Sequence, residues 1–180
     1  ALLLVLFVSS IFAAALPAAS AHTPTWSIPT YAYVTVSPDP VGVGQTMFVL
    51  MWVDKVLPSA AVDNDIRFQN YKLTITSPDG TTEVKNFPIV HDTTSSQYIL
   101  FTPTQIGTYG FKFEFPEQTY TWSGDYQNDV YLASSAETTL TVQQQTVETP
   151  PTYPLPTTYW SRPIEGQNTA WVSIASNYLN

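Results

Sequence analysis

The sequence predicts an all-β protein, a two-sheet sandwich of about seven strands, and three observations carry that prediction. Period-two alternation of apolar and polar residues recurs from Tyr31 to Val142, with turn residues between the runs. Tyr, Thr, Ser and Pro are abundant while strong helix formers are scarce, which disfavours a helical fold. Apolar residues make up 44% of the chain and charged residues only 11%, so there is enough apolar surface to bury a core.

The strands follow in order. Tyr31 to Ser37 sets Ala32, Val34 and Val36 against Tyr31, Tyr33 and Thr35, and Pro38-Asp39-Pro40 ends its pairing. After Gly42 and Gly44, Thr46 to Val53 is apolar on both faces, Phe48, Leu50 and Trp52 opposing Met47, Val49, Met51 and Val53; such a strand is central or has a covered second face. Tyr71, Leu73 and Ile75 then share one side of a half-buried strand. Ser77-Pro78-Asp79-Gly80 reverses it into Thr82 to Phe87, since Pro presets the turn and Gly tolerates its exit conformation. Gln97 to Thr102 is a further strand. Tyr109, Phe111, Phe113 and Phe115 alternate with Gly110, Lys112 and Glu114 in the next, and Thr138 to Val142 closes the set with Leu140 and Val142 inward.

Two connections are long: Asp54 to Asn70, and Pro116 to Ser135. Connections of that length are functional or form an extra hairpin packed by its own aromatics. Ahead of the sandwich, expected over 31–143, residues 22–30 form an extended lead-in. Residues 1–21 read as a signal-peptide helix: an apolar run to Leu16, then Ala19-Ser20-Ala21 as a small-x-small cleavage site. With no Met or basic residues before that run, the leader lacks its front and the chain reads as a fragment of a longer protein. The apolar stretch is shorter than the roughly 20 residues of a membrane span, so cleavage is expected and membrane contact arises only through an uncleaved leader. Residues 144–158, with Pro150, Pro151, Pro154 and Pro156, form an extended linker. Residues 159–180 are too few to bury their own aromatics and read as the start of a second, truncated domain; the alternative is a tail folded back on the sandwich.

The leader implies a secreted or cell-envelope protein. With no Cys, there are no disulfides and no thiol chemistry. A net charge of −8 with only six Lys and Arg disfavours nucleic acid and anionic lipid as partners. Asn168-Thr169-Ala170 lacks the third residue of a glycosylation sequon.

Gly107-Thr108-Tyr109-Gly110-Phe111-Lys112-Phe113 resembles the penultimate strand of immunoglobulin-like (Ig-like) and fibronectin-like sandwiches. The resemblance implies that the Tyr109 hydroxyl bonds the backbone near Thr104 or Gln105. Three longer segments extend the likeness: Ile28 to Tyr33 with Pro40 to Gln45, Phe101 to Tyr109, and Tyr159-Trp160-Ser161-Arg162-Pro163-Ile164-Glu165-Gly166-Gln167-Asn168. They resemble the front of secreted archaeal proteins in which an Ig-like domain and a Pro-rich linker precede a β-propeller of the PQQ-binding-like type. No propeller blade lies within the chain, so no propeller ligand is assigned to it.

The residues suggest little catalytic chemistry. His91 beside Asp92 has no motif Ser for a triad, Glu83, Glu114 and Glu117 form no placed acid pair, and phosphate-binding Gly loops are absent. Two metal ideas arise. A mature N-terminal His22 could chelate copper with its amine and ring, completed by His91, a nitrogen set that suits Cu(II). Asp63 and Asp65, with Asp54 or Asn64, could offer oxygens to Ca²⁺, although solvated loop carboxylates have the same spacing. For binding, Tyr120, Trp122, Tyr126 and Tyr131 cluster in the last long loop, where they suit either a partner or the sandwich interior. The sequence therefore predicts an Ig-like accessory or interaction domain without catalysis or cofactor. It would meet protein or glycan at the cell surface and present a downstream propeller. The alternative is a noncatalytic carbohydrate-binding or front module of a secreted enzyme.

Overall fold

A computed structural model of the chain describes residues 21–148. The expected leader up to residue 20, the linker from residue 149 and the expected second domain lie outside the described residues. No helix occurs among those described.

Eleven strands run in chain order: β1 Ser27–Ile28, β2 Ala32–Ser37, β3 Val41–Gly42, β4 Met47–Val53, β5 Gln69–Thr76, β6 Thr82–Ile89, β7 Ser96–Phe101, β8 Gly107–Phe115, β9 Gln118–Thr119, β10 Val130–Tyr131 and β11 Ser134–Gln143. All seven expected strands are among them, and the other four are two-residue pairings. One sheet has the order β3-β11-β8-β5-β6 and the other β2-β4-β7; a small sheet, β1-β10-β9, sits apart. Of the seven long strands, the first, second and fifth thus face the remaining four. This crossover is that of an Ig-like, fibronectin-like sandwich.

Alternation places the core between the sheets. Met47, Val49, Met51 and Val53 of β4 are buried, as are Tyr71, Leu73 and Ile75 of β5 and Tyr109, Phe111, Phe113 and Phe115 of β8. All buried hydrophobics of this core lie between Val34 and Val142. The Tyr109 hydroxyl accepts the backbone N–H groups of Thr104 (3.2 Å) and Gln105 (2.9 Å), the corner implied by the Ig-like resemblance. The expected turn after β5 is also present: Gly80 has φ 85° and donates to the Ser77 carbonyl at 2.9 Å.

Two boundaries differ from the expectation. The last strand begins at Ser134 rather than Thr138, because Ser134 to Glu137 continue the backbone pairing to the end of β8, opposite Phe115 to Lys112, with Ala136 as their one apolar side chain. The Pro116–Ser135 connection is not all loop: β9 and β10 pair antiparallel within it, and β1 of the lead-in joins β10 in parallel.

The outer faces of the two main sheets differ in kind. Across the five-stranded sheet runs an ion-pair ladder, Lys72–Glu114 (2.9 Å), Glu114–Lys112 (3.7 Å) and Lys112–Glu137 (3.9 Å). The Lys72 bond, aided by Lys112, holds the Glu114 carboxyl below its usual range. Such a face is at home in water. No Lys, Arg, Asp or Glu occurs in any strand of the three-stranded sheet.

Candidate functional site

The lead-in, the Asp54–Asn70 connection, the turn after β6 and the Pro116–Ser135 connection converge at one end of the sandwich, because β2 and β5 start there and β4, β6 and β8 finish there. All the site residues expected from sequence lie in these segments, and the structure divides them into two clusters.

The first surrounds Asp129, which is fully buried. Its carboxylate is 2.7 Å from His22 Nδ1 and accepts the Trp26 backbone N–H at 2.9 Å. The His22 ring stacks on Trp26 (centroids 3.6 Å apart) and meets the edge of Tyr126. Its backbone N–H donates to the Asp125 carbonyl. Tyr120 is buried and donates its hydroxyl to the Pro58 carbonyl, Trp122 packs edge-on against it, and Tyr131 lies in the core against Phe68. Of the four aromatics expected to bind, only Tyr126 is exposed; the hairpin fold turns the Tyr120 and Tyr131 rings inward.

The second cluster is organised by Arg67. Its guanidinium donates to the carbonyls of His91 (2.9 Å), Ile66 (2.7 Å) and Ala61 (2.8 Å), fixing the connection from within. Asn64 accepts the N–H groups of Ala61 and Ile66. Asp65, His91 and Asp92 rim a shallow cleft beside Arg67, and Asp63 is exposed. Asp54 instead accepts the Tyr31 N–H and the Lys55 ammonium. His22 and His91 therefore belong to different clusters. Among the described residues, no group of three or more His, Asp or Glu side chains is arranged to hold a metal ion.

Burial of phenols at this end has a measurable consequence. The Tyr131 hydroxyl is pushed up to about 12 by burial, with Asp129, Tyr120 and Tyr126 adding to it. Burial raises Tyr71 well above its ordinary value too, and that hydroxyl donates to the Ser95 carbonyl at 3.0 Å. An unfolded Tyr ionises near pH 10. Above that pH the folded state binds more protons than the unfolded one, so stability falls with rising pH. The contribution of both groups is complete below about pH 10 and, for Tyr131, is lost through about pH 12. The melting temperature is expected to drop steeply between these values in thermal scans followed by circular dichroism. A flat profile would show that both phenols ionise freely in the fold.

The outer face of the three-stranded sheet is a feature that the sequence did not single out. Strand register sets Tyr33 beside Trp52 and Phe48 beside Leu100, with Leu50 beside Tyr98 between them. The Tyr33 and Trp52 rings stack at 5.1 Å and 13°, and Phe48 and Tyr98 at 5.1 Å and 26°. Near-parallel rings with centres at this distance form offset stacks across neighbouring strands. Tyr98 (58%) and Leu100 (67%) are the most exposed of the set. The sequence signal for this face is the strand Thr46 to Val53, apolar on both sides. It is central as expected, and its second side is left uncovered among the described residues.

No family model matches the chain, and no curated protein matches it. Among solved structures it is similar to the CARDB domain of a Pyrococcus furiosus protein, solved in complex with di-metal ions. The identity is 15% and the TM-score 0.32, over 63% of this chain and 91% of that one. The strand order, not this likeness, establishes the Ig-like sandwich.

Proposed function

We propose that this chain is a noncatalytic Ig-like accessory module of a secreted or cell-envelope protein, making a protein contact through the outer face of its three-stranded sheet and presenting a downstream β-propeller. The observation that carries the reading is the uncharged face formed by Tyr33, Phe48, Leu50, Trp52, Tyr98 and Leu100. Clustered exposed aromatics on a rigid sheet form a contact surface, because their burial removes apolar area from water with little loss of side-chain freedom. The Pro-rich composition after Gln143 supports a spacer to a further domain, and the resemblance of residues 159–168 to the family's propeller lead-in supports what that domain is.

The test compares cells producing the parent protein with a Tyr33→Lys, Tyr98→Lys variant, both positions being exposed. Wild type is expected in the envelope fraction and the variant in the medium. Equal partition of the two would remove envelope attachment from the role of the face. A glycan array that lights up with wild type and not with Trp122→Ala would instead favour the carbohydrate-binding alternative.

A further inference from the structure

Resting on the reading of this face as a contact surface, we infer that its partner is a second copy of the chain, docked by antiparallel pairing of β7 with β7 across a two-fold axis. Exposure on the outer face is greatest at Tyr98 and Leu100, on the edge strand, where no neighbouring strand among the described residues covers their flank. The edge itself is open. The Asp54 N–H donates to the Tyr31 carbonyl, so the even-numbered residues of β4 turn their backbone groups to β2; Tyr98, opposite Leu50, therefore turns its own away from β4, and its carbonyl accepts the side-chain amide of Gln97 at 2.9 Å. In an antiparallel ladder the N–H and C=O of one residue point the same way. The backbone groups of Ser96, Tyr98 and Leu100 are therefore the ones presented to an incoming strand.

The neighbouring edge shows what protection looks like. β6 carries Glu83, Lys85 and Pro88, the charged and Pro devices that keep an edge from pairing. β7, Ser-Gln-Tyr-Ile-Leu-Phe, has none of them. A chain of net charge −8 repels its copy at most surfaces, yet two β7 strands meet with no charge on either. Self-pairing also satisfies the pleat. A register that sets even-numbered residues opposite one another keeps Tyr98 and Leu100 of both copies on the outer side and Ile99 and Phe101 on the inner. The result is one six-stranded sheet with a continuous uncharged face, an isologous contact that closes on itself.

A six-residue strand is roughly 20 Å long, too short for its flank alone to bury the about 800 Å² per partner of a stable interface. The dimer is therefore weak, with a dissociation constant on the order of 100 μM. It strengthens with salt, as the repulsion of two acidic chains is screened.

Residues 21–148 contain all of the described core and sheets, so they serve as the test protein. Sedimentation equilibrium from about 10 μM to about 1 mM is expected to show a monomer–dimer equilibrium, with amide exchange at Tyr98 and Leu100 slowing as concentration rises. Leu100→Lys, at an exposed site, should weaken association at least about tenfold with no change in melting temperature. Val84→Lys on the guarded β6 edge should change neither. A monomer at about 1 mM, or a dimer indifferent to Leu100→Lys, overturns the inference. If the domain is monomeric but envelope retention still depends on the face, the partner is another protein and the proposed function stands. If retention too is unaffected, both fall.

Discussion

Phe113→Ala is expected to lower the unfolding free energy by about 3–5 kcal/mol, a large share of the about 5–15 kcal/mol that holds an ordinary domain folded. Phe113 is fully buried in the middle of β8. It lies opposite Leu73 on one side and Ala136 on the other, and 4.9 Å from the Tyr71 ring. Truncation removes the transfer energy of a phenyl ring and leaves a cavity that rigid strands on both sides cannot collapse into. Chemical denaturation of residues 21–148 measures the loss as a lower midpoint at unchanged slope. A cost below about 1 kcal/mol would mean that the sheets repack around the gap. By contrast, Leu100→Lys on the outer face should leave the midpoint where it is, since Leu100 is already two-thirds exposed.

That contrast explains how much of the fold is legible in the sequence. The alternation Tyr109, Phe111, Phe113, Phe115 fixes one inward face because the pleat has a period of two, and the structure buries all four. The Ser-Pro-Asp-Gly turn and the Tyr109 corner are local rules, legible for the same reason. The start of β11 is not legible, because Ser134 to Glu137 continue the ladder with Ala136 as their one apolar side chain, too little for a period-two pattern. The two connections are legible as long, but not in their contents. The buried state of Tyr120 and Tyr131 depends on Phe68 and Pro58, more than 50 residues away, and no local pattern encodes that. His22 and His91 share nothing in the sequence except residue type. The His22 ring pairs with Asp129, far along the chain, while His91 meets Arg67 only through its backbone carbonyl, and no motif announces either contact. The uncharged sheet face has a signal in the doubly apolar β4. Whether its second face is covered is decided by chain packing, which the sequence does not spell out.

Asp129→Ala is expected to cost about 2–3 kcal/mol, and to do so by releasing the lead-in rather than by disturbing the sandwich. The carboxylate has no exposure and serves His22 Nδ1 and the Trp26 N–H together. Without it both donors lose their acceptor. The His22 side chain, about one-fifth exposed, can turn to water, which keeps the cost below that of breaking a wholly buried ion pair. The damage is local. The Trp26 carbonyl accepts from Val130 N–H at 2.8 Å and the Ile28 carbonyl from Leu132 N–H at 2.9 Å. These bonds tie β1 to β10, and they hold only while Asp129 fixes the chain ahead of them. Hydrogen exchange at Val130 and Leu132 should therefore speed up in Asp129→Ala by more than at Phe111 or Phe113, whose bonds belong to the main sheet. A His22→Ala, Asp129→Ala double-mutant cycle isolates the pair, with a coupling of about 1–2 kcal/mol expected. Uniform acceleration at all four amides would instead make Asp129 part of the global fold. Because β7 shares no residue with this cluster, the association of two copies should survive the change. Loss of both together would mean that the loop end and the sheet edge are one contact surface rather than two.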